Sequence, residues 1–134
     1  MGLIIDTNVF VRWERAGQEI DFSPWQHRGD AAISVITASE LLVGVHRADT
    51  EARRQKRSAF VEAILSQIPI FDFTMEVARV HAELFALLTA RGELVGAHDL
   101  IIAATAKHYT SAVMTTNTAD FARIPGLEVI ELEA

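Results

Sequence analysis

The sequence contains no cysteine among its 134 residues. This excludes a disulfide framework, a thiolate metal site and a cysteine nucleophile. The absence fits a reducing compartment, so we expect a cytoplasmic protein. The sequence also lacks an apolar run approaching the roughly 20 residues of a membrane span, and its first residues lack the basic flank of a signal peptide. We therefore expect no membrane association.

Positive charge is scarce, with 12 basic residues against 18 acidic ones and a net charge of −6. This balance argues against non-specific nucleic-acid binding by the surface as a whole, because such binders are usually basic. Five basic residues nevertheless fall between positions 47 and 57: Arg47, Arg53, Arg54, Lys56 and Arg57. A solvated helix face is the more frequent meaning of such a run, and a basic patch is the alternative.

The hydrophobic pattern predicts one domain over residues 1–134. Runs rich in branched residues predict strands at 3–5, 32–36, 68–71, 112–115 and 127–132. Apolar residues at helical spacing predict helices over 9–15, 38–46, 51–66, 75–91 and 97–108. This alternation predicts an α/β fold, a three-layer sandwich whose mostly parallel central sheet of about five strands is flanked by helices.

Four acidic residues stand next to the predicted strand ends. Asp6 ends the first strand, Glu40 lies past the second, Asp120 lies past the fourth, and Asp99 opens the most apolar helix. The carboxyl ends of parallel strands share one edge of a sheet, where ligands bind. Two like charges about 4 Å apart cost roughly 4 kcal/mol at an effective dielectric near 20. If the four acids converge, a cation must lie among them.

Each acid also has a structural alternative as a helix cap. Asp6 could cap the first helix, and the segments Thr37–Glu40 and Asn117–Asp120 match capping patterns. Asp99 sits in a first turn, where negative charge complements the helix dipole. For any one of them alone, capping is the more frequent explanation. Four caps need not share one sheet edge, however, so the joint pattern favours a divalent cation.

Magnesium is the cation that this donor set favours, because it prefers carboxylate oxygens and keeps several waters. Such an ion can activate a water and neutralise charge on a phosphate, which predicts phosphodiester hydrolysis. Five histidines show no zinc-like spacing, and neither a G-x-S-x-G elbow nor a P-loop is present. His98 should point roughly 100° away from Asp99 around the helix, and we expect it to serve packing.

Four motifs together resemble PIN-domain nucleases. They are Leu3–Asn8 (LIIDTN), Ser34–Leu41 (SVITASEL), His98–Ala106 (HDLIIAATA) and Thr115–Phe121 (TTNTADF). The resemblance runs in order from residue 3 to about residue 131. One block alone would be a weak signal, whereas four in order are specific. The compact length further resembles the VapC toxins of bacterial toxin–antitoxin pairs.

The resemblance implies roles for the acids. Asp6 and Asp99 would be the main magnesium ligands, with Mn²⁺ as a substitute ion. Glu40 would help to hold the metal or its water, and Asp120 would complete the acidic set. Many relatives carry an acid where Asn117 stands, so the fourth role falls to Asn117 or Asp120. Whether one or two ions bind is open.

The resemblance also implies partners and helper residues. Thr7 and Thr116 would orient waters or carboxylates. RNA would be the substrate, a cognate antitoxin would place its tail in the acidic groove, and the chain would form a homodimer. Two alternatives from other classes are a metal-dependent phosphoaspartyl switch or phosphatase and a non-catalytic binding module on the same scaffold.

Overall fold

A five-stranded parallel sheet forms the centre of the computed structural model, which describes residues 2–132. The strands are β1 (Gly2–Ile5), β2 (Asp30–Ser34), β3 (Ile70–Phe71), β4 (Ala112–Thr115) and β5 (Val129–Glu131). They lie in the order β3-β2-β1-β4-β5, and every neighbouring pair is parallel. The predicted α/β class is therefore confirmed.

Helices connect the strands. They are α1 (Thr7–Ala16), α2 (Val35–His46), α3 (Glu51–Gln67), α4 (Met75–Ala90), α5 (Ala97–His108) and the short α6 (Thr118–Phe121), with a 3₁₀ helix at Ser23–Arg28. Ser34 caps α2, because its hydroxyl accepts a hydrogen bond from the backbone N–H of Ile36 at 3.2 Å. The prediction that β2 extends to Ile36 and that Thr37 caps the helix is wrong, since the helix has already begun at Val35.

The sheet buries one hydrophobic core on each face. Leu3 and Ile5 point to the side covered by α1, α2 and α3, while Ile4 points to the side covered by α4, α5 and α6. This alternation follows from the two-residue period of a strand. Helix α5 is buried from Ile102 to Ala106, as its apolar sequence predicts. No helix within residues 2–132 is both long and apolar enough to span a bilayer.

The register of β1 brings distant residues to one edge. Ile5 pairs with Met114 of β4, and the backbone N–H of Asp6 donates to the Met114 carbonyl at 2.9 Å. Asp6 and Thr115 are thus neighbours although 109 positions separate them. Helices α1, α2 and α6 all begin at this carboxyl edge of the sheet.

Thr110 carries backbone strain at the end of α5. Its φ of 51° lies in the left-handed region, while Ser111 N–H bonds back to the Ala106 carbonyl at 2.8 Å. This is the helix-ending geometry that favours glycine. We expect Thr110→Gly to raise the free energy of unfolding by about 0.5–1 kcal/mol in urea melts. Thr89→Gly in the exposed part of α4 is the control, and it should be destabilising. A loss of stability in both variants would contradict this account.

Candidate carboxylate site

Asp6 lies at the centre of the carboxyl edge and is only 4% exposed. Its Oδ1 accepts a hydrogen bond from the Thr7 backbone N–H at 2.8 Å, so the predicted cap on α1 is confirmed. Its Oδ2 accepts from the Thr115 hydroxyl, also at 2.8 Å. Burial raises the pKa of Asp6, these two hydrogen bonds oppose that rise, and nearby Glu40 adds to it. Asp6 is a cap and a member of an acidic cluster at once.

Thr115 is the residue that ties the two central strands together at the site. Its buried hydroxyl donates to Asp6 and accepts from the backbone N–H of Asn117 at 2.9 Å. Asn8 contacts the same hydroxyl at 3.5 Å, and its own side-chain oxygen accepts from the Thr116 N–H at 3.1 Å. Thr115 therefore orients the Asp6 carboxylate. The sequence patterns pointed to Thr7 and Thr116 as residues that orient waters or carboxylates, and not to Thr115. The in-register pairing of β1 with β4 is the signal that identifies it.

Glu40 projects from the second turn of α2 towards α1 and α5. Its Oε1 accepts a hydrogen bond from the Thr7 hydroxyl at 2.7 Å, and that hydroxyl lies 3.2 Å from Thr37 Oγ1. Glu40 does not form the predicted capping box, because Ser34 holds the cap position. Thr7 instead makes the contact expected of a hydroxyl that orients a carboxylate.

His98 is a site residue that the sequence analysis missed. Its Nδ1 lies 3.1 Å from Glu40 Oε2, and its side chain is 53% exposed. The prediction that His98 serves packing is therefore wrong. The rotation that separates it from Asp99 around α5 turns it towards α2, which no pattern within the helix itself reveals.

Asp99 occupies the first turn of α5 and shows most clearly that the acids converge. Its pKa rises to about 6, first because of burial and then because of the negative charges of Asp6, Asp120 and Glu40. Electrostatic repulsion falls with distance, so acids from three separate elements lie near enough to Asp99 to act on it. This agrees with the predicted placement of the four acids at one edge of the sheet.

Asp120 enters the cluster from α6. The Asn117 side-chain amide lies 3.4 Å from Asp120 Oδ2, so the two residues adjoin each other at the start of this helix. Asn117 occupies the cap position but makes no side-chain capping hydrogen bond. The capping alternative fails here, and Asp120 is the acid that acts on Asp99.

Cations are scarce around this cluster. Among the charged groups of residues 2–132 that act on Asp99, His98 is the one that lowers its pKa. Within that same range, no three His, Cys, Asp or Glu side chains form a ready-made cage for a metal ion. Magnesium does not need such a cage, because it usually binds one or two carboxylates together with waters and substrate phosphates. The all-oxygen donor set fits this ion.

Comparison with known families agrees with this geometry. Residues 3–127 match the family model described as the PIN domain. The chain belongs to the PIN-domain family. "Ribonuclease VapC1" of Rickettsia felis is 39% identical over 134 residues, covering 100% of this chain and 98% of that protein. "Ribonuclease VapC" of Rickettsia bellii is 38% identical over 130 residues, covering 97% and 96%. The resemblance to VapC-type PIN domains is thereby confirmed.

Solved structures support the same fold. The VapBC2 structure from Rickettsia felis, bound to a DNA fragment from its promoter, aligns with a TM-score of 0.85 and 26% identity, covering 99% of this PIN domain and 100% of that chain. The DNA-bound VapBC from Salmonella typhimurium aligns with a TM-score of 0.86 and 26% identity, covering 98% of both chains. Both relationships extend over nearly the full length of the chains.

The raised pKa of Asp99 predicts a pH-dependent cost to folding. Well below about pH 4 the Asp99 carboxyl is neutral in both the folded and the unfolded state. As the pH rises, Asp99 ionises first in the unfolded chain, so the free energy of unfolding falls as the pH rises through 6. In EDTA, we expect Asp99→Asn to raise the free energy of unfolding by about 1–2 kcal/mol at pH 7.5, allowing for partial solvation, and to have little effect at pH 3.5. Urea melts at both pH values measure this.

Asp30→Asn is the matched control, because Asp30 is exposed and begins β2 at the opposite edge of the sheet. Its effect should stay within about 0.5 kcal/mol at either pH. An Asp99→Asn effect that is the same at both pH values would show that burial and the neighbouring carboxylates do not raise the pKa of Asp99.

Thr115→Val tests the hydrogen bond that holds Asp6. The change keeps the side-chain shape but leaves Oδ2 of the buried Asp6 carboxylate without its donor, so the free energy of unfolding should fall by about 1–3 kcal/mol. Thr116→Val is the control, because only the backbone of Thr116 enters the network. Equal losses of stability in urea melts of the two variants would show that the hydrogen bond from Thr115 to Asp6 does not stabilise the fold.

Proposed function

We propose that this PIN domain is a magnesium-dependent endoribonuclease that acts as the toxin of a toxin–antitoxin pair. The convergence of Asp6, Glu40, Asp99 and Asp120 carries the proposal, because four acids at one sheet edge need a divalent cation. The names of the VapC relatives as ribonucleases support RNA as the substrate. The reaction is hydrolysis of an RNA phosphodiester bond by water.

Asp6 and Asp99 would hold the magnesium ion, or a manganese ion in its place. When bound, the ion would lower the pKa of a coordinated water and neutralise charge on the phosphate. Asp120, whose charge also acts on Asp99, would complete the acidic set. Asn117, a neutral neighbour of Asp120, would position that carboxylate.

The chain's own hydrogen bonds would prepare the site for this reaction. Thr115 and the Thr7 N–H fix both oxygens of Asp6 before any ligand arrives. The Thr7 hydroxyl holds Glu40 through Oε1, and His98 Nδ1 contacts Oε2 at 3.1 Å, so both oxygens of this carboxylate are positioned as well. Such preorganisation places groups in productive geometry at no cost during the reaction.

We further propose a cognate antitoxin as the protein partner, a homodimer as the assembly and the cytoplasm as the location. The VapBC neighbours are complexes of toxins with antitoxins, which supports the first of these. A partly exposed anionic cluster also attracts a guanidinium group, whose planar donors match carboxylates in pairs. An antitoxin tail carrying arginine would therefore compete with the metal and the RNA for the site.

Asp6→Asn and Asp99→Asn should each reduce cleavage of total RNA by about 100-fold or more, while circular dichroism shows an unchanged fold. EDTA should abolish wild-type cleavage, and added magnesium or manganese should restore it. Asp30→Asn, which alters an exposed acid at the opposite edge of the sheet, should retain wild-type activity. Mapping the cut ends by RNA sequencing measures all of these variants in one experiment.

Persistent cleavage by both site variants would contradict the proposal. Phosphorylation of Asp6 by a small phosphoryl donor, without RNA cleavage, would support the phosphoaspartyl alternative. Magnesium binding without any hydrolysis would support a non-catalytic module.

A further inference from the structure

A groove leads away from the carboxylate site along α1. Its first part lies between α1, α2 and α3 and starts at Thr7 and Glu40. Its second part continues over Glu14, Arg15 and Arg57, which line both parts, so the depression is continuous. We refer to this depression as the α1–α3 groove.

The far end of the α1–α3 groove concentrates positive charge. Its lining there consists of one acid and four cations: Glu14, Arg15, Arg53, Lys56 and Arg57. This composition is the reverse of that of the whole chain, whose net charge is −6. Three members of the basic run between residues 47 and 57 therefore line this end of the groove: Arg53, Lys56 and Arg57.

Ion pairs compensate only two of these cations. Arg57 lies 3.3 Å from Glu14, and Arg53 lies 2.7 Å from Asp49. Arg15 and Lys56 have no ion-pair partner within residues 2–132, and both are exposed. Two exposed cations that share one depression without a counter-charge are available to an anionic ligand.

The dimensions of the groove suit a short stretch of nucleic acid. Thr7 and Arg15 are eight residues apart on α1, which corresponds to about 12 Å along the helix. Stacked nucleotides advance about 3.4 Å each along a strand. Arg15 therefore lies about three to four nucleotides from the carboxylate site.

The middle of the groove is apolar. Leu41, Phe60 and Val61 line it, and Phe60 is partly exposed. An aromatic face beside cations is the arrangement that single-stranded nucleic-acid sites use, with bases on the ring and phosphates on the charges.

We propose that the α1–α3 groove binds single-stranded RNA next to the scissile bond, with backbone phosphates on Arg15 and Lys56. This inference rests on the proposed ribonuclease function. RNA is favoured over an acidic protein segment because the other end of the groove contains Glu40 and Thr7, at a site suited to phosphodiesters. The cations there offset the repulsion between a polyanion and an acidic protein.

Fluorescence anisotropy with a labelled single-stranded RNA octamer of mixed sequence, in EDTA, tests this proposal. The double variant Arg15→Glu/Lys56→Glu should bind about tenfold more weakly or worse than wild type. The slope of log affinity against log salt should fall by about 1.4, because each single-strand phosphate contact contributes about 0.7. The neutral pair Arg15→Gln/Lys56→Gln should fold as wild type and show the same direction with a smaller loss.

The matched control is Arg79→Glu/Arg91→Glu, which makes the same charge change at exposed positions on α4 and just past its end, across the sheet. It should bind within about twofold of wild type. Equal losses of affinity in the two Glu variants, or no loss in either, would contradict RNA binding in the α1–α3 groove. If a polyglutamate peptide of matched charge displaced the labelled octamer as well as unlabelled RNA does, the groove would instead bind an acidic protein segment.

The outcomes separate this inference from the function on which it rests. If the groove variants cleave RNA and bind the octamer as wild type does, RNA binding in the α1–α3 groove is rejected and the ribonuclease proposal is unaffected. Groove-dependent binding of the octamer by a protein that cuts no RNA would support the groove and reject the ribonuclease.

Discussion

Mutual repulsion among four carboxylates is the constraint on which this structure depends. Asp99 is held neutral up to about pH 6 by its burial and by the charges of Asp6, Asp120 and Glu40. A fold selected for stability alone would separate these groups, because each unit of pKa displacement corresponds to about 1.4 kcal/mol. The chain instead gathers them at the sheet edge where parallel strands end, which is the arrangement expected of a site that takes a cation.

Hydrogen bonds hold two of the acids in place despite the repulsion between the carboxylates. Thr115 fixes Asp6 from the neighbouring strand, and Thr7 fixes Glu40 from the neighbouring helix. The parallel register of β1 with β4 makes the first contact possible, since it sets Asp6 beside Thr115. The hydrophobic cores on both faces of the sheet then supply the stability that lets the edge remain unfavourable.

The fold and the acidic set were largely predictable, because both follow from patterns local to the chain. Helix α5 was predicted with its observed bounds from its nearly continuous apolar residues. The start of α2 was not, because Ser34 and Thr37 are equally good caps and only the strand's end decides between them. The roles of Thr115 and His98 depend on contacts across the sheet edge, which no single segment encodes.

The carboxyl carbon of Asp99, followed by NMR through a pH titration with EDTA and again with magnesium, tests the central claim most directly. We expect a pKa near 6 in EDTA, because Asp99 is half-buried in the folded state and three negatively charged carboxylates act on it. With magnesium bound, the pKa of Asp99 should fall below its ordinary value, because the ion favours the carboxylate. A pKa close to 4 that magnesium leaves unchanged would contradict the claim that these acids form a cation site.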